Sequence, residues 1–189
     1  MKRYLFFYLT VFLIMPVMMS GKKLPADLPM ENQLVMILTT ITYDRKIGEE
    51  PGNRIKIGLF HTNRNPSKRY AESFAALFRK NYRDKTIRTK RIDFQLVTEL
   101  DQLHRDPLHV IILAPDIDHR TLDRILEIAI ENKITTASGI TAYYNTPITL
   151  IVGVNDKKSF LRLNLDSAKN ENCQFDSKVI QLSTIVENR

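Results

Sequence analysis

Two carboxylates and a histidine stand together at Asp116-Ile117-Asp118-His119, just after the aliphatic run His109–Ala114. Ligands of open α/β sheets bind outside the carboxyl ends of the strands. Carboxylates there can hold a metal or work as an acid–base pair. The same residues have a plainer use. Asp118 precedes a helical pattern from His119 to Asn132, where a side-chain oxygen accepts from unpaired amides and a negative charge suits the helix dipole. Capping is the stronger reading. Other strand ends contribute His61-Thr62-Asn63, Ser138-Gly139 and Asn155-Asp156. His61, Asp116, Asp118, His119 and Ser138 are thus the candidates for a polar crevice that takes a small ligand.

Other chemistries lack their residues. The histidines are His61, His104, His109 and His119, none four residues from another. No cysteine pair completes a zinc site, because Cys173 is alone. Gly58 and Gly139 are isolated rather than part of a phosphate loop, and no Gly-x-Ser-x-Gly elbow occurs. The expectation is a protein that is not an enzyme, with no metal and no cofactor. Tyr143 and Tyr144 either stack on a partner or plug the core.

The start of the chain is an address. Met1-Lys2-Arg3 is followed by an apolar run from Tyr4 to Met19, broken only by Thr10 and Pro16, and then by Ser20 and Gly21. A basic head, an apolar stretch and small residues at its end are the layout of a secretory signal. The run is shorter than the roughly 20 apolar residues that span a bilayer comfortably. Residues 1–21 are read as a signal peptide or a retained N-terminal anchor, which would tether the protein through residues 4–19. Residues 22–29, with Pro25 and Pro29, read as a linker, and residues 30–189 as one domain.

The formal charge is +7. Much of it lies between His61 and Arg91, where ten Lys and Arg face only Glu72 and Asp84. Such a stripe attracts acidic surfaces, lipid headgroups and nucleic acid, or is simply solvated. Export argues against nucleic acid.

Elements that could position these residues follow from periodicity. Met30–Lys46 carries Leu34, Ile37, Leu38 and Ile41 at helical spacing. Ile55–Phe60 is a strand, and Asn65-Pro66 opens a helix to about residue 81. Thr86–Val97 alternates as a half-buried strand, and a short helix covers 98–105. His109–Ala114 is unbroken aliphatic, as in a strand buried on both faces. Helix 119–132, strand 133–137 and a helical piece at 140–144 come next. Strands 148–154 and 159–163 flank Asn155–Lys158, a hairpin signal. A short helix at 166–171 and an amphipathic segment at 177–186 close the chain. The expected fold is a three-layer α/β sandwich with a mixed, mostly parallel sheet and a C-terminal antiparallel hairpin.

From the opening helix to the close, the sequence resembles the YfiR/HmsC-type family of periplasmic proteins. The stretches that carry the resemblance are His109–Ala114, Ile134–Ser138, Phe160-Leu-Arg-Leu-Asn-Leu165 with Ala168-Lys169, and Ser177–Leu182. Asn164-Leu165 followed by Ala168 is the most family-like signature, and Tyr43-Asp44-Arg45 is similar to an element of one subgroup. The resemblance implies a periplasmic, non-catalytic α/β regulator. It would bind and modulate a membrane sensor with a periplasmic domain, a diguanylate cyclase or a histidine kinase, and so touch cyclic-di-GMP signalling. Oligomerisation, at its simplest a homodimer, is expected with it. Tyr43, Asp44, Arg45 and Asn164 are the motif and interaction candidates. The sequence departs from the founding pattern in lacking its disulfide cysteines and in carrying Asn145-Thr-Pro147 where a glycine-rich turn is usual.

Overall fold

The structure, a computed structural model, describes residues 25–49, 52–106 and 108–187. The signal or anchor expected at 1–21 lies outside them. Of the expected linker, residues 25–29 run along the domain. Ala26 forms an antiparallel bridge to Val154, and Leu28 is buried.

The opening helical pattern divides into α1 (Met30–Thr42) and α2 (Arg45–Glu49). Then come β1 (Arg54–Phe60), α3 (Asn65–Tyr82), β2 (Thr86–Ile87), β3 (Lys90–Val97), α4 (Leu100–Arg105) and β4 (Val110–Leu113). The chain continues through α5 (His119–Asn132), β5 (Thr135–Ser138), a 3-10 turn (Thr141–Tyr143), β6 (Leu150–Asn155) and β7 (Lys158–Asn164). It closes with α6 (Leu165–Asn170), α7 (Ser177–Leu182) and β8 (Thr184–Val186).

These strands form one sheet in the order β2-β3-β1-β4-β5-β6-β7-β8. Pairings are parallel except β2–β3 and β6–β7. Both exceptions are tight hairpins whose two central residues have positive φ: Arg88 and Thr89 in one, Asp156 and Lys157 in the other. That geometry matches the twist of the flanking strands.

Alternation along the strands sorts side chains into two cores. Ile55, Ile57, Leu59, Val110 and Ile112 pack with Leu34, Ile37 and Ile41 of α1 and Phe74 and Phe78 of α3. Ile111, Leu113 and Ile151 pack with Leu122, Ile125 and Ala129 of α5. β4 is buried at every position, as its unbroken aliphatic run predicts. The expected three-layer α/β sandwich is therefore observed: helices, mixed sheet, helices. Two differences concern edges. The 86–97 strand is really a hairpin, and the 177–186 segment is a helix plus an eighth strand paired in parallel with β7. Gly58 on β1 permits close approach, since a Cβ there would lie 2.3 Å from Leu108.

Candidate functional site

β1 leads through α3 to β3 on one side, whereas β4 and β5 lie on its other side. Chain direction across the sheet thus reverses between β1 and β4, and α3 and α5 lie over opposite faces. A crevice outside the carboxyl ends of β1 and β4 is the expected result. Both helices point their N-termini at this end.

Most expected crevice residues are here, and most are occupied. His61 follows β1 and is buried; its amide donates to the Val97 carbonyl, and Nδ1 lies 3.0 Å from the Thr62 carbonyl. Asp118 caps α5. It accepts from the Thr121 amide at 3.0 Å and the Thr121 hydroxyl at 2.8 Å, and these bonds hold its carboxyl below the usual range. His119 is exposed at the first position of α5. Asp116 adopts φ +63°, a left-handed conformation that Asp tolerates better than most residues. It lies 3.6 Å from the Arg64 guanidinium, so this pair spans the mouth between the β1 and β4 loops. Ser138 lies deeper, one strand over. It is buried, donates to the Leu113 carbonyl and accepts from the Ile140 amide.

Tyr143 settles its role as a plug of the core. Its hydroxyl donates to the Ala114 carbonyl at 2.9 Å and accepts from the Ile117 amide at 3.1 Å. Burial raises its pKa, consistent with a phenol kept neutral. The loop after β4 is thereby pinned on both sides of Asp116.

Residues that sequence reasoning passed over close the β5 side. Gln33 of α1 is 2 % exposed. Its amide donates to the Leu28 carbonyl at 2.7 Å, and its oxygen accepts from the Tyr70 hydroxyl at 2.6 Å. Gly139 makes room for it: a Cβ there would sit 1.9 Å from Gln33 Oε1. Asp27 accepts from the amide and hydroxyl of Thr141 at 2.6 and 2.7 Å. Burial first, then the Asp27 charge, push the Tyr70 phenol up. The signal in the sequence was Gln33 itself, a polar residue on the stripe Leu34, Ile37, Ile41. Residues 25–28 cover the β5 end, and the exposed candidates at this end of the sheet are Arg64, Asp116, Asp118 and His119.

The motif residues lie elsewhere, as clasps. Asp44 is buried between α1 and α2; its Oδ1 accepts from the Lys46 amide at 3.1 Å and the Gln174 amide at 2.9 Å. Its Oδ2 has no hydrogen-bond partner among the described residues, and burial raises its pKa. Arg45 pairs with Asp176 at 3.4 Å, and the Tyr43 carbonyl accepts from the Asp176 amide. Asn164 caps α6 by accepting from the Ser167 amide at 3.0 Å. Tyr43-Asp44-Arg45 therefore fastens the C-terminal segment to the opening helix. Among the described residues, no three His, Cys, Asp or Glu side chains are grouped as metal ligands would be.

No family profile and no curated protein matches the chain. Solved structures do. A domain in complex with L-Trp from Streptococcus pneumonia has TM-score 0.54 and 12% identity over 84% of this chain and 62% of that one. A conserved domain protein from Vibrio cholerae has TM-score 0.55 and 12% identity over 85% and 60%. A substrate binding protein with adhesive properties from Clostridium difficile, in a ligand-free, open structure, has TM-score 0.52 and 13% identity over 89% and 66%. The chain spans under two thirds of the length of each. What is shared is the α/β fold. Among the described residues no helix is long and apolar enough to cross a membrane.

Proposed function

We propose that this chain is an exported, non-catalytic binding protein that takes a small anionic ligand at the β1/β4 crevice. The observation that carries the reading is the reversal of strand order between β1 and β4, with the N-terminus of α3, which no side chain caps, and the Arg64 guanidinium at that point. Helix N-termini favour negative charge, and arginine supplies a planar fork for carboxylate or phosphate. The Arg64–Asp116 contact is exposed at both ends and long, so an incoming anion can compete for the arginine. Binding rather than catalysis fits a site whose Asp118 caps a helix and whose His61 and Ser138 bond their neighbours. The fold neighbours support it by analogy: one is described with L-Trp bound, another as a substrate binding protein.

The test is a thermal-shift titration with inorganic phosphate, carboxylates and free amino acids, repeated on Arg64→Ala. A raised melting temperature that the variant loses supports the crevice. No shift across the set removes this reading.

A second reading follows from the family resemblance: the domain docks on a membrane sensor and regulates it. It draws support from exposed apolar side chains near the C-terminal edge, Ile180, Leu182 at 81 % exposure, and Ile185. Crosslinking in native envelopes that recovers no sensor protein would remove it.

A further inference from the structure

β3 is an edge strand that is only partly covered. β2 pairs with it at Lys90 and Arg91 alone, and among the described residues no other strand lies along its outer side. The Arg91 amide donates to the Asn53 carbonyl and the Val97 carbonyl accepts from the His61 amide, both inward toward β1. Backbone groups alternate sides along a strand. The N–H and C=O groups of Ile92, Phe94 and Leu96 therefore face outward; the β2 register sets Ile92 against Lys85, and Phe94 and Leu96 remain as a ready template for another strand.

A groove flanks this edge on each face of the sheet. One, about 410 Å³, runs under α3 between Phe78, Arg79, Arg83 and Phe94. The other, about 290 Å³, is lined by Gln95, Gln102, Arg105 and Asp106 on the α4 side. Leu96, 38 % exposed, borders both. Phe78 and Phe94 stack at 4.5 Å and give the first groove an apolar floor. Successive side chains of an added strand point to opposite faces, so they would enter the two grooves in turn.

Charge decides the partner. The acids lining the grooves are already held: Asp93 by Arg54 at 2.9 Å, Asp106 by Lys56. Arg79, Arg83 and Arg105 are exposed and have no carboxylate partner among the described residues. We propose that the outer edge of β3 is a strand-addition site for an extended acidic segment of another protein. Its backbone would pair with Phe94 and Leu96, and its acidic side chains would meet Arg79 and Arg83 on one face and Arg105 on the other. The site is separate from the β1/β4 crevice and does not depend on it.

The probe is a labelled peptide of about seven residues, roughly one strand long, with glutamates and valines in successive pairs so that each face of the strand carries both. Its controls are a lysine–valine counterpart and a glutamate peptide N-methylated at alternate amides. Fluorescence anisotropy with the full-length protein should show the glutamate peptide bound at least about tenfold more tightly than either control. Bound peptide should slow hydrogen exchange at Phe94 and Leu96, while Asp93 and Gln95 stay unchanged. Leu96→Pro removes one outward donor without touching the β1 ladder and should weaken binding, as should Arg79→Glu with Arg83→Glu. If the proline variant misfolds, the exchange pattern of the unaltered protein still decides. Equal binding of the lysine peptide, binding indifferent to N-methylation, or no protection at those two amides overturns the proposal. So does a dimer that pairs β3 with β3, since the occupant would then be a second copy.

Discussion

Glu171 offers the most direct physical test of the fold. It follows α6 and is 1 % exposed. One carboxylate oxygen accepts from the Thr136 amide at 2.9 Å and the Thr149 hydroxyl at 2.6 Å; the other accepts from the Thr136 hydroxyl at 2.7 Å. Burial dominates these bonds and raises the pKa from 4.5 to about 7. The folded state thus holds this proton more tightly than the unfolded chain. Its contribution to stability is fully present below about pH 4.5 and is lost as pH rises through about 7. A difference of that size corresponds to about 3 kcal/mol, an upper figure for a single group. Glu171→Gln imitates the protonated form: its amide oxygen can accept from the Thr136 amide and Thr149 hydroxyl, and its NH2 can face the Thr136 hydroxyl. Urea unfolding of both proteins at about pH 4 and about pH 8 isolates the effect, because every other titrating group is common to both. The stability of the variant relative to the unaltered protein should rise by about 2–3 kcal/mol between the two conditions. A difference that stays constant across this window would refute the reasoning.

Three further outcomes are expected. Gly139→Ala forces Gln33 from its place and should destabilise by about 1–3 kcal/mol; Gln33→Ala in the same background should recover part of the loss, and strict additivity in the double-mutant cycle would contradict the clash. Asp118→Ala should lower the melting temperature by a few degrees above pH 4 while Asp118→Asn does not, because the cap needs an acceptor more than a charge. The Cys173 thiol bonds the Thr135 hydroxyl at 3.2 Å, and burial, with Glu171 beside it, pushes its pKa up; a thiol reagent should modify it slowly when folded and promptly in urea, and a fast native reaction would be inconsistent with this.

The elements with local signals were legible. Asn65-Pro66 opens α3, Asp118 caps α5, and Asn155–Lys158 turns between β6 and β7, because caps and turns are decided within a few residues. The crevice was legible as a location but not as an inventory. His61, Ser138 and Asp118 are polar residues at strand ends in the sequence; in the fold their polar atoms are largely engaged by neighbours.

By itself, then, the sequence determined the α/β alternation, the doubly buried β4 and the polar strand ends, since periodicity and capping act over short spans. Tertiary structure alone decided three things. β8 exists because β7 pairs with it; Ile180, Leu182 and Ile185 in isolation suit a helix as well as a strand. Asp44 became a buried clasp because the Gln174 amide arrives from the far end of the chain. The outer side of β3 is open because β2 stops after two residues, and only strand order reveals which alternating groups are left without a neighbour. Each depends on a contact between segments distant in sequence, which local spacing does not encode.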